Sequence, residues 1–310
     1  MTRSSVLNKA KSLRSLTLLI ATITIGVCFS GEISGYIFEG MELAVSCVIP
    51  SSFPFMIIAD FYTHYGSPEQ LWIIGDMICK LVGIKPYMLS TFICGNVGGF
   101  PIGAKMAADL YSVNGCDKDE LERLIPLSSN PSVAFVIGGV GLGMYNDATV
   151  GSILLASIFL SMLLCAIITR ANESKNSFSR DISKQKYNFV SSVKQSGASC
   201  ISLISFISIF SAAVGIIKNH IKNEVVSYSF ITILEVTNAV KIFSVSDRIP
   251  LQISIPLSGF ALGFGGLSVM MQSAALLLGS DLGMKKYLFI KLLQGVLCGA
   301  ISSVLCLLIM

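Results

Sequence analysis

Residues 249–280 carry no charged side chain, a run too long for one straight membrane span and too short for two spans plus a turn. Pro250, Pro256, Gly259, Gly263, Gly265 and Gly266 punctuate it. Two other stretches are interrupted in the same way. Residues 86–104, continued to about 111, break at Gly95, Asn96, Gly98, Gly99, Phe100, Pro101 and Gly103. Each arm has about a dozen residues and reaches roughly 18 Å, short of the ~30 Å of bilayer hydrocarbon. Residues 124–146 are interrupted by Pro126 and again by Ser128, Ser129, Asn130 and Pro131. All three read as re-entrant hairpins or broken helices. Irregular backbone survives at membrane depth only where protein buries it or where water and solute reach it. Secondary transporters build solute sites from such discontinuous helices. The alternative is Gly and Pro kinking of complete spans, since both residues are common in membrane helices.

Composition agrees with a bilayer environment. Hydrophobic residues make up 53% and charged residues 13% of the 310, with mean hydropathy +0.75, whereas soluble domains carry about a quarter charged residues. Ordinary uncharged runs lie at 15–31, 43–59, 148–169, 196–217 and 292–310. The expected fold is therefore an all-α polytopic membrane protein in contact with the lipid bilayer. Arg3, Lys9, Lys11 and Arg14 precede the first run, and no small-x-small cleavage site follows within the usual reach, so it reads as a retained helix. The stretch 170–194 carries Arg170, Lys175, Arg180, Lys184, Lys186 and Lys194 against Glu173 and Asp181. Both basic segments are expected on the cytoplasmic side. The net charge of +4 thus speaks to topology, and no nucleic-acid partner is expected.

This divides the chain into a cytoplasmic N-terminus with an accessory helix (1–34), a first repeat (35–170), a basic linker (171–195) and a second repeat (196–310). Gly98-Gly99-Phe100 followed by Ala107-Ala108 aligns without gaps on Gly265-Gly266-Leu267 followed by Ala274-Ala275. If the first helix is accessory, the halves start on opposite sides and form an inverted repeat.

Three local signals carry candidate chemistry. In Gly98–Lys105 the glycines permit a tight turn and Pro101 suits the start of the returning helix. That helix points free N–H groups into the break, favourable for an anionic or polar group, and Lys105 lies one turn in. Lys105 either adds its charge to the site or snorkels to an interface. Asn130-Pro131-Ser132 is the second signal, with Asn130 as N-cap of a half-helix over 131–144. Capping alone is an equal account of Asn130 and Ser132. The third is Glu235, alone among charged residues from 225 to 240, with Thr237 and Asn238 able to share its contacts. An isolated intramembrane carboxylate marks a functional site by default, unless the segment is interfacial. On the third interrupted run Gly266, Ser268 and Gln272 complete the candidate solute-binding set. Residues 117–123 read as a short solvated helix with Asp119–Arg123 and Glu120–Arg123 pairs, and Asp76–Lys80 reads as another local pair.

Other chemistries lack their signatures. No GxxxxGK[ST] loop, HExxH motif or serine-protease pattern occurs, and Ile73-Ile74-Gly75-Asp76 lacks the first glycine of an intramembrane aspartyl protease. An enzyme is not expected, nor a cofactor. With His64 and His220 the only histidines and no CxxC spacing, a metal site is not expected either. Cys28, Cys47, Cys79, Cys94, Cys165, Cys200, Cys298 and Cys306 lie in apolar stretches and read as packing thiols.

A family resemblance enters on these same residues. Ile49-Pro50-Ser51-Ser52-Phe53-Pro54-Phe55, Gly99-Phe100-Pro101-Ile102-Gly103-Ala104-Lys105, Glu122-Arg123-Leu124 and Asn130-Pro131-Ser132-Val133-Ala134-Phe135 resemble the sporulation integral membrane proteins with nucleoside-recognition (Gate) domains. Leu234-Glu235-Val236-Thr237-Asn238 and Phe264-Gly265-Gly266-Leu267-Ser268-Val269 are similar to that family's second half. The resemblance covers roughly residues 40–300. It implies a multi-pass, permease-like protein, distantly related to nucleoside transporters, in the mother-cell-derived membrane around the forespore. It favours dipicolinate as the small-molecule solute, with a nucleoside or a non-transporting scaffold as alternatives.

Overall fold

The computed structural model of the chain describes residues 17, 20, 24, 30–65, 72–112, 116–170, 189–246 and 248–310. The basic N-terminus, most of the run 15–31 and residues 171–188 of the linker lie outside the described residues. So do the expectations of a retained first helix and of cytoplasmic basic segments.

The protein is an all-α polytopic membrane protein, and no strand occurs among the described residues. Helix α1 (Ser30–Leu43) passes through a π-helical turn (Ala44–Val48) into α2 (Ile49–Tyr65). Next come α3 (Trp72–Val82), α4 (Leu89–Gly98), α5 (Ile102–Ser112) and α6 (Lys118–Leu127), then a π-helix, Phe135–Met144. The remaining helices are α7 (Ala148–Ile168), α8 (Phe189–His220), α9 (Glu224–Leu234), α10 (Val236–Val245), α11 (Leu251–Phe264), α12 (Gly266–Leu276) and α13 (Lys285–Ile309).

Among the described residues five helices are long and apolar enough to cross a bilayer: Ser30–Ile58, α7, α8, the α11–α12 pair and α13. A sixth span results if Ile74–Val82 and Pro86–Gly98, which meet at 98°, count as one broken element. Their outer faces are apolar, with Ile167, Ile201, Ile209, Phe289, Val296 and Leu308 exposed. A water-facing surface would not tolerate so many, whereas lipid does. Inside, α11 packs along α13, α13 against α7, and α1 against α8. Cys165 and Cys298 are buried free thiols in this interior.

The interrupted runs are broken, with differences in detail. Chains α4 and α5 are separate short helices of 10 and 11 residues. Pro126 does not interrupt; it sits inside α6 near its end, where it removes a single helical hydrogen bond, and the break falls at Ser128–Ser132. The run 249–280 is one span broken once, at Gly265 in the left-handed region. A fourth break, at Glu235, has no glycine: this single extended residue (φ −148°, ψ 118°) separates α9 from α10.

None of the three locally expected pairs forms among the described residues. Arg123 is buried, and its guanidinium donates to the carbonyls of Val82 (2.7 Å), Gly83 (2.8 Å) and Ala166 (2.6 Å) and to the Thr169 hydroxyl (3.3 Å). It thereby joins the C-terminal ends of α3 and α7, whose last carbonyls have no helical partner and favour a cation. Asp119 instead pairs with Lys286 at 2.9 Å and Glu120 with Lys85 at 3.0 Å. Asp76 and Lys80 are both exposed and make no ion pair with each other among the described residues.

Candidate functional site

Three of the four breaks line one cleft, and the fourth, at Gly265, packs against the Glu235 break and opens a helix of the wall. Gly99 and Phe100 come from the α4–α5 break, and Pro131, Ser132 and Phe135 from the break after α6. Glu235, Val236 and Thr237 come from the start of α10, and Val269 and Gln272 from α12. Val48 of the π-helical turn, Ser52 of α2 and Leu203 and Ile207 of α8 complete the wall.

Glycine makes the convergence possible. Gly99 takes φ 82° and ψ −170°, and a Cβ on it would stand 2.9 Å from the Ser132 amide nitrogen. The two breaks therefore touch backbone to backbone. Gly266, at φ 76°, comes close to the Leu234–Glu235 peptide, where a Cβ would meet the Leu234 carbonyl oxygen at 3.2 Å.

Each returning helix opens at the cleft, so its first N–H groups need partners. Glu235 supplies them for α10: its Oε2 accepts from the Asn238 amide at 2.6 Å and from Asn238 Nδ2 at 2.8 Å. Asn238 Nδ2 also donates to the Ser211 hydroxyl at 2.7 Å. A buried carboxylate is otherwise costly, and the helix end with its donors offsets that cost. Ser132, not Asn130, caps the helix leading into Phe135–Met144, accepting from the Phe135 amide at 3.2 Å and lying 3.1 Å from the Ser52 hydroxyl. Asn130 fails as the cap because its side chain is engaged behind the cleft.

That engagement is a buried polar cluster. Asn130 Nδ2 donates to Asn96 Oδ1 at 2.8 Å, and Asn96 Nδ2 donates to the Phe92 carbonyl. Lys291 of α13, 1% exposed, donates to the Ser129 carbonyl (3.0 Å), Asn130 Oδ1 (3.0 Å) and Gln294 Oε1 (2.9 Å). Three oxygens match the three N–H donors of an ammonium. The same nitrogen lies 5.8 Å from the centroid of the Phe100 ring, so one aromatic layer separates it from the cleft.

Of the sequence candidates, Gly99, Phe100, Ser132, Glu235, Thr237 and Gln272 line the cleft. Asn238 orients Glu235, and Ser268 accepts from Gln272 Nε2 at 3.3 Å. Gly98, Pro101 and Gly266 serve the turns, Gly103 lies within α5 where the Ser128 carbonyl packs against it, and Asn96 and Asn130 belong to the cluster behind. Lys105 stands apart. Its ammonium pairs with Asp60 at 3.0 Å and donates to Gln195, in a second cleft. Sequence reasoning missed Ser52, Lys291 and Gln294. Of the side chains lining the central cleft among the described residues, Glu235 alone is charged.

One group in the wall is unmatched. Gln272 is 2% exposed and its Oε1 has no hydrogen-bond partner. Turning the amide round exchanges the two ends and leaves a donor edge unmatched instead. A buried polar group of this kind is satisfied at little cost by a solute or water that enters the cleft.

With this geometry established, comparison with known proteins finds one informative likeness. The chain is similar to the sporulation integral membrane protein YlbJ of Bacillus subtilis (strain 168), 24% identical over an alignment that covers 83% of this chain and 73% of that protein. No protein-family model and no solved structure matches the chain.

Proposed function

We propose that this chain is a permease-like protein of the sporulation membrane system that passes a small polar solute through the central cleft. The observation that carries the reading is the meeting of helix breaks at one cleft, with a buried carboxylate and an unmatched amide in its wall. A chain kinked merely for packing has no need to bring its breaks together, whereas alternating-access carriers place their solute there. The sporulation setting rests on the likeness to YlbJ.

Dipicolinate, a flat aromatic dicarboxylate, is the solute that family resemblance favours. Phe100 and Phe135 offer apolar faces for its ring, and the opening turns of the returning helices and Lys291 offer positive potential. A second reading, an uncharged solute of nucleoside type, is favoured by the position of Lys105 outside the cleft and by Glu235 as its charged liner. Proteoliposome uptake of labelled dipicolinate and of labelled uridine separates them. Glu235→Gln removes the negative charge, so it speeds dipicolinate uptake if dipicolinate is the solute and slows uridine uptake if a nucleoside is. Absence of uptake of either, with no solute-dependent gain in thermal stability, would replace transport by a scaffold role.

A further inference from the structure

A second, narrow cleft opens beside Lys105. Met56 and Asp60 of α2, Ile102, Lys105 and Asp109 of α5, and Ser196 of α8 are among the residues that line it. The same elements wall the central cleft, one or two turns further along. On α2 the positions run Ser52, Met56, Asp60, spaced four apart and hence on one face, about 6 Å per step. On α8 they run Leu203, Ser199, Ser196, and on the third side Gly99 and Phe100 lead to Ile102 and Lys105. The clefts are thus stacked along one groove.

Between them lies a single apolar layer. Met56, Cys94, Ile102, Met106, Cys200 and Leu203 form a buried cluster of their own. Met56, Ile102 and Met106 face the second cleft, and Leu203 faces the central one. Beyond the layer the lining turns polar: the Lys105–Asp60 pair, exposed Asp109, and the Ser196 hydroxyl, which is buried without a hydrogen-bond partner.

Resting on the transport reading above, we propose that the second cleft is a vestibular binding station for the polar solute, and that the Met56–Ile102–Leu203 layer is the gate between station and central cleft. Lys105 and Asp60 present both signs of charge at the station, and Ser196 supplies an unmatched hydroxyl. The gate closes by excluding water from an apolar constriction, as dewetted channel gates do. The station lies at the end of the groove where α8 begins, at Phe189, within the stretch read from sequence as the basic linker. It is therefore the mouth on the linker's side of the membrane.

Site-specific thiol modification tests this. Ser199→Cys places a thiol in the station and Ser52→Cys places one in the central cleft, and a charged methanethiosulfonate reagent is applied to proteoliposomes. Modification is assigned to the substituted residue itself by fragment-ion mass spectrometry, which separates it from Cys200 beside Ser199 and from Cys47 near Ser52. Ser199→Cys should react at least about tenfold faster than Ser52→Cys, equivalent to about 1.4 kcal/mol of gate opening. Adding Met56→Ala should raise the Ser52→Cys rate by a similar factor relative to that of Ser199→Cys, so that the two converge. Leu203→Ala attacks the layer from its other side and serves if the Met56 variant does not fold. Equal rates at both positions with the layer intact would overturn the gate, as would a Ser52→Cys rate unmoved by either alanine. Loss of solute uptake alongside the predicted labelling pattern would refute transport and leave the gated groove standing.

Discussion

Replacing Gly99 with alanine perturbs the convergence of breaks at its tightest point. The native φ of 82° with ψ −170° belongs to a region essentially closed to residues with a side chain, and occupying it costs about 1–3 kcal/mol. The new Cβ would also stand 2.9 Å from both the amide nitrogen and the Cβ of Ser132. Backbone displacement to relieve such crowding costs a further ~1–3 kcal/mol. The two contributions have the same sign, so Gly99→Ala should lose about 2–6 kcal/mol, or an apparent melting temperature in detergent lower by roughly 4–12 °C at about 2 °C per kcal/mol. Gly138→Ala is the matched control. No heavy atom lies within 4 Å of its added methyl group, and it should change stability by about 1 kcal/mol or less. Differential scanning fluorimetry of the two variants beside the native chain decides the matter. If they melt together, the close approach of Gly99 to Ser132 is not what holds the cleft's wall.

Arg123→Met should be more damaging than removal of a surface charge, because it strips the cation from the buried carbonyl ends of α3 and α7; a loss of about 3 kcal/mol or more is expected in the same melting assay, and a change within error would rule out the joint. Tyr145→Phe removes a hydroxyl that lies 2.6 Å from the Ser254 hydroxyl and 2.7 Å from that of Ser258, tying the π-helix to α11. It should lower stability by about 1–2 kcal/mol. An unchanged melting temperature would show that water replaces the hydroxyl.

What the sequence made legible was whatever obeys a local rule. Glycine pairs and prolines act on the backbone where they stand, so the breaks at Gly99 and Gly265 could be placed before any tertiary contact was known. An isolated carboxylate in an apolar run is conspicuous for the same reason, and Glu235 was found by it. Its role as a helix cap that itself breaks the chain was hidden, because an extended non-glycine residue leaves no mark in composition. Partner choice was the main failure. Arg123 was matched to Asp119 and Glu120 by helical spacing, but distant carbonyls of two helix ends hold it. The place of Lys105 outside the central cleft was hidden as well, because its pairing with Asp60, 45 residues away, is purely tertiary. Lys291 escaped notice because it follows Lys285 and Lys286 at the start of an apolar run, where cations ordinarily mark a membrane interface.

The claim that the four breaks build a solute site is tested most directly by saturation binding, read as the solute-dependent rise in melting temperature of the purified chain with dipicolinate and with uridine. One of the two should stabilise the native protein in a saturable way. Gln272→Leu, which removes the unmatched amide, should raise the half-saturating concentration by about tenfold or more, a loss of at least about 1.4 kcal/mol, while Gly138→Ala should bind as the native chain does. Stabilisation by neither compound, or native affinity retained in Gln272→Leu, would contradict the site.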